Sequence, residues 1–136
     1  MSNIIEIKEG DVVLARYIPS GVAWQEGLSF FSQNPDFVQV GTWVYDAEKK
    51  LNAHTHNEVE RKVLWTQEVL FVRKGRIQAN IFNSKEQKVT EMIVDEGDIL
   101  ILLQGGHGYE ILQNGTQVLE VKNGPYIGAD LDRRRF

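Results

Sequence analysis

The sequence predicts an all-β protein, on three observations. Short runs of apolar and β-branched residues alternate with polar ones at a period of two. Turn-forming clusters of Gly, Asn, Asp and Pro interrupt them every 8 to 12 residues or so. Only one short stretch has helical spacing. About nine or ten strands on this pattern make a β-sandwich or barrel.

The elements follow in order. Ile4, Ile5 and Ile7 predict a first strand, Gly10-Asp11 a turn, and Val12 to Ile18 a second strand ended by Pro19-Ser20-Gly21. From Val22 to Ser32, the roughly helical spacing of Trp24, Leu28 and Phe31 fits a short helix, and a strand pair around Gly27 fits equally. Asn34-Pro35-Asp36 turns into a strand from Phe37 to Tyr45, where Val38, Val40, Thr42 and Val44 share one face. After a turn at Asp46 to Lys50 comes a strand carrying His54 and His56, then a polar, charged connection, then the apolar run Val69 to Val72 begun by Glu68. Arg76 to Phe82 returns around Gly75, Val89 to Val94 follows the turn at Asn83 to Glu86, and Asp95-Glu96-Gly97-Asp98 launches Ile99 to Leu103. That last run is apolar on both faces, so it is expected to be covered on both sides, within a sandwich or against a second subunit. Tyr109 to Leu112 and Val118 to Val121 complete the set, and residues 124–136 form an irregular tail.

Composition limits the function. A chain of 136 residues has the size of a single domain. A formal charge of −4 argues against a general nucleic-acid binder, because phosphate binding rests on a basic surface. The one basic cluster, Arg133-Arg134-Arg135, reads as a solvated tail in preference to an anion-binding element. With no cysteine, disulfides, thiolate metal sites and a thiol nucleophile are excluded, so any metal must use nitrogen and oxygen donors. The opening residues lack the features of a secretory signal and no apolar run is long enough to span a membrane, so a soluble cytoplasmic protein is expected.

The chain has three histidines, and one site is expected to use all of them. On an extended strand His54 and His56 point to the same face. His107 lies between glycines in Gly105-Gly106-His107-Gly108, just after the apolar run, and Glu68 opens the strand before it. Gln39, Trp43, Tyr45 and Tyr109 would line a pocket if their strands present those faces inward, although Trp43 and Tyr45 fit core or interface aromatics better. Glu60 belongs to the charged connection, where a loop at the mouth of a barrel would set specificity.

These residues resemble the motifs of the cupin superfamily. Its first motif carries His-x-His, a glutamate, six further residues and a glycine. Here Glu68 and Gly75 keep the ending, while the gap from His56 to Glu68 is longer than usual. Glu60 stands at the usual offset but has no glycine at the right distance. In the second motif Gly97 is present, the proline is missing, and His107 arrives one residue early. Thr66-Gln67-Glu68-Val69-Leu70, Gly105 to Gly108 and Glu120 to Tyr126 are further similar to a group of small, uncharacterised cupins, some associated with sugar and surface-polysaccharide pathways. The resemblance implies a single-domain jelly-roll barrel over residues 1–136. It also implies a divalent transition metal (Fe, Mn, Ni, Co or Zn) held by His54, His56, Glu68 and His107, with two coordination positions open.

Three functions are compatible with such a site. The first is a metal-dependent enzyme, an oxygenase or isomerase acting on a small oxygen-rich molecule such as a sugar derivative or organic acid, with Glu60 or Tyr109 as candidate general base. The second is a non-catalytic module that binds a small ligand, and the third a metal-free nucleotide-sugar isomerase or epimerase. A homodimer is expected, since an exposed sheet edge otherwise invites aggregation. Nucleic-acid and membrane partners are not expected.

Overall fold

A computed structural model describes residues 3–136, and the described chain is all-β with antiparallel pairing throughout. Its strands are β1 (Ile5–Glu9), β2 (Val12–Ile18), β3 (Gly27–Phe30), β4 (Gly41–Val44), β5 (Glu68–Lys74), β6 (Arg76–Phe82), β7 (Lys88–Asp95), β8 (Ile99–Leu102), β9 (Gly106–Ile111) and β10 (Gln117–Lys122). A four-residue helix, α1 (Ala129–Asp132), stands in the predicted irregular tail. Three sheets form: β1-β2-β8-β5-β10, β7-β6-β9 and the hairpin β3-β4. Their hydrogen bonding does not close into a barrel among the described residues.

Alternation explains which faces meet. Directly paired residues share a face of their sheet. Leu70 pairs with Leu100 and Glu68 with Leu102 across β5 and β8, while Ala79 pairs with Met92 across β6 and β7. One core joins the five-stranded and three-stranded sheets, built from Leu14, Leu70, Val72, Leu100 and Leu102 on one side and Ile77, Ala79, Ile81 and Val94 on the other. On the outer face of the larger sheet, Ile18, Ile101 and Leu103 are covered by Val22, Phe31 and Val40. The strand β8 is therefore buried on both faces, as its unbroken apolar run predicts, and the chain's own 22–40 segment supplies the second cover.

Two buried polar clusters secure this scaffold. Asp98 accepts hydrogen bonds from the Tyr17 hydroxyl (2.6 Å) and from the backbone N–H groups of Ser20 and Asp95 (2.7 Å each), tying the turn before β8 to β2 and β7. Arg16 donates to Glu6 at 3.0 Å and to Asp36 at 2.7 Å, which satisfies a guanidinium on the covered face. At the β5–β6 turn Gly75 has φ +92°, and a Cβ there would lie 2.9 Å from the Thr116 Cα, so only glycine fits.

Three predicted elements differ. Residues 22–32 hold one strand, β3, paired with β4, in place of either the helix or the strand pair around Gly27. The strand expected from Phe37 to Tyr45 shortens to Gly41–Val44, because Phe37 and Val38 donate their N–H groups to the Gln67 side chain (2.7 and 3.1 Å) instead of to a neighbouring strand. The strand expected around His54 and His56 is not formed. Residues 45–67 contain no helix or strand, and every residue from 43 to 65 is exposed. Period-two spacing places two side chains on one face only where a partner strand holds the backbone extended.

Candidate functional site

The site is built where the two main sheets part. The strands β10 and β9 are the edges of their respective sheets. Register puts Glu120 and Lys122 of β10 on the same face as Leu70 and Glu68, and His107 and Tyr109 of β9 on the same face as Ile81 and Ala79. Both faces look into the space between the sheets, and there a cleft of about 790 Å³ opens. Glu68, His107, Tyr109, Glu120 and Lys122 line it, with Asn80, Phe82, Gln104 and residues 132–136.

Local structure fixes Glu68 at the start of β5. The preceding residues are anchored from three directions. The Trp65 indole N–H donates to the Leu103 carbonyl at 2.8 Å, and its ring packs against Phe37 at a 55° tilt with centroids 4.8 Å apart. The Gln67 N–H donates to the Asn123 side chain at 2.7 Å. Glu68 consequently enters the cleft with only 8% of its surface exposed. Its Oε2 lies 3.3 Å from His107 Nε2 and is buried without a well-aligned hydrogen bond. The contact with His107 holds the Glu68 carboxyl below its usual range, against the opposing pull of burial. Across the same cleft the Tyr109 ring lies 5.5 Å from that of His107. Burial first, then the charges of Glu68 and Glu120, raise the Tyr109 phenol well above its ordinary value.

The other predicted residues stand elsewhere. The rings of His54 and His56 lie 5.1 Å apart on the exposed part of the 45–67 segment, and His54 Nδ1 contacts the Asn52 carbonyl at 3.1 Å. Among the described residues no three His, Asp or Glu side chains are grouped closely enough to share an ion. The structure therefore brings together Glu68 and His107 and leaves the histidine pair apart from them. Glu60 also lies on that exposed segment and does not line the cleft. Nor does Gln39, whose amide is used locally: Nε2 donates to the carbonyls of Gln33 and Asp36, and Oε1 accepts from the Ser32 hydroxyl. Trp43 and Tyr45 pack edge to face on the β3-β4 side, with Trp43 65% exposed, so they line neither the cleft nor the core.

Two parts of the site were missed. Glu120 and Lys122 alternate onto the cleft side of β10, a signal available in the sequence once that strand is known to flank Glu68. The C-terminal residues could not be placed from their composition, which describes a solvated tail equally well.

No family model matches the chain, and no curated protein or solved structure is significantly similar to it. No helix among the described residues is long and apolar enough to cross a membrane.

Proposed function

We propose that this protein is a metal-binding jelly-roll protein of cupin type, and that it is a metal-dependent enzyme acting on a small oxygen-rich molecule in the cleft. One observation carries the proposal: a buried carboxylate oxygen of Glu68, lacking a well-formed hydrogen bond, faces an imidazole nitrogen of His107 in an open cleft. An unsatisfied buried carboxylate is costly unless a cation compensates it. A carboxylate and an imidazole are donors suited to a divalent transition ion.

Glu68 and His107 would form the standing half of the ion site, and His54 and His56 the other half. The second edge of β9 has no partner strand among the described residues, whereas the 45–67 segment has unpaired backbone and leads directly into Trp65 and Glu68. From that segment His54 and His56 would supply the two further nitrogen donors. A bound ion would supply a Lewis acid or a centre for oxygen activation. The protein's own groups would position the substrate, with Tyr109 donating a hydrogen bond and Lys122 contributing positive charge. A homodimer would cover the exposed apolar side chains of the β3-β4 hairpin, Leu28, Phe30 and Trp43.

The test is the metal content of protein purified without a metal-binding tag, measured by mass spectrometry for wild type, Glu68→Gln, His107→Ala and His54→Ala/His56→Ala. About one transition ion per chain in wild type, lost in all three folded variants, is the expected result. A wild type that takes up none of Fe, Mn, Ni, Co or Zn overturns the proposal. Loss confined to Glu68→Gln and His107→Ala would remove the segment's contribution. The separation of His54 and His56 from the cleft favours one second reading, a module that binds a small ligand without turnover. Stoichiometric ligand binding with no reaction in metal-loaded protein would select it.

A further inference from the structure

The cleft has a wall that the site chemistry above does not use. Residues 132–136 run along it and are held at three points. Asp132 accepts a hydrogen bond from the Thr66 hydroxyl at 2.5 Å. Arg134 pairs with Glu86 in the β6–β7 turn. The Phe136 ring meets Phe82 at 90°, with centroids 5.0 Å apart. Gly106 leaves the space for it, since a Cβ there would lie 2.6 Å from Phe136 Cζ. Aromatic packing and two polar anchors convert a run of charges into part of a built surface.

The charges on this wall are unequally used. Arg134 is neutralised by Glu86, and Lys122 Nζ lies over the Tyr126 ring, 5.3 Å from its centroid. Arg133 and Arg135 also line the cleft, but neither pairs with a carboxylate among the described residues. Of the carboxylates that line the cleft, Glu86 pairs with Arg134, Asp132 accepts from Thr66, Glu68 faces His107 and Glu120 has no ion pair among the described residues; none of them pairs with Arg133 or Arg135. Two like charges held on one wall repel each other, and an anion between them relieves that repulsion. Guanidinium groups suit oxyanions in particular, because their planar donors match two oxygens at once.

We propose that Arg133 and Arg135 form an anion subsite, and that the ligand of this cleft is a small molecule bearing an oxyanion, a carboxylate or a phosphate, and not a neutral sugar. The inference rests on the cleft being the ligand site and does not require a metal ion. It narrows the substrate class to one the chain's overall negative charge would otherwise disfavour.

The experiment is calorimetric titration of the intact, metal-free protein with inorganic phosphate and, separately, with succinate, at fixed ionic strength. Saturable binding of at least one probe is expected, weakened by about tenfold or more in Arg133→Gln/Arg135→Gln, since charged hydrogen bonds of this kind are lost. Arg73→Gln/Lys74→Gln removes two exposed charges from the far end of β5 and is expected to bind as wild type does. The tighter probe identifies the anion as phosphate or carboxylate. No binding of either probe to wild type overturns the proposal, as does equal weakening in both double variants, which would indicate general charge screening. Anion binding in a protein that takes up no metal would retain this subsite while removing the metal proposal. Metal uptake without anion binding would do the reverse.

Discussion

The two-sheet core and the 45–67 segment belong to the same chain and differ in almost every physical respect. In the core, each apolar side chain faces another across a defined register, as Leu70 does Leu100, and both are buried. In the segment, Leu51, Val59, Val63 and Leu64 are exposed and the backbone has no strand partner among the described residues. Composition contributes to the difference, since eight charged residues fall from Asp46 to Lys62. A strand is stabilised when its alternating faces meet complementary faces and its backbone groups are paired. The segment has little of the first in its sequence and lacks the second.

Substitutions can break or sharpen this contrast. The largest effect is expected from Leu100→Ala, which empties a fully buried position and should lower unfolding free energy by about 3 kcal/mol in denaturant titration. A loss under about 1 kcal/mol would mean that the sheets pack more loosely than this core requires. Asp98→Asn comes next. It removes a charged acceptor from Tyr17, Ser20 and Asp95 and should cost about 2 kcal/mol, read in the same titration.

A smaller effect is expected at alkaline pH. Burial, followed by the hydrogen bond to Asp98, raises the Tyr17 phenol above its ordinary value of 10.0. A raised folded-state value stabilises the fold fully below that of the unfolded chain, so stability should fall as pH rises above about 10. Tyr17→Phe should flatten that limb while lowering stability at neutral pH; an unchanged slope would assign it to other groups. Smallest of all, Val59→Ser in the exposed segment should change global stability by less than about 0.5 kcal/mol. In the same region trypsin should cut first after Arg61 or Lys62, and an added transition ion should slow that cut if the segment joins β9. A Val59→Ser loss as large as that of Leu100→Ala would place the segment inside the cooperative fold.

Much of the fold was legible because strand alternation and turn chemistry are local. The turns at Gly10-Asp11, Gly75 and Asp95 to Asp98 are written in residues that favour them, and the runs that flank each of them became strands. The double burial of β8 could be read from five successive apolar residues. The site was legible in part. Glu68 and His107 could be nominated because their neighbours, the apolar run Val69 to Val72 and the glycines around His107, mark where strands begin. The prediction for His54 and His56 treated spacing as sufficient for a strand. The pocket roles of Gln39, Trp43 and Tyr45 depended on which face each strand turned inward, and alternation defines two faces without labelling either as inside.

By itself, the sequence determined an all-β chain, its main strands and turns, the exclusion of any thiolate metal site, and the nomination of Glu68 and His107. Only the tertiary structure decided that these two residues stand together without the other histidines, that Glu120 and Lys122 face them, and that the C-terminal arginines line their cleft. The reason is physical. Local propensity follows from backbone conformation and side-chain period, whereas a site forms between strands distant in the chain, whose meeting is set by sheet order, register and the burial of opposing faces.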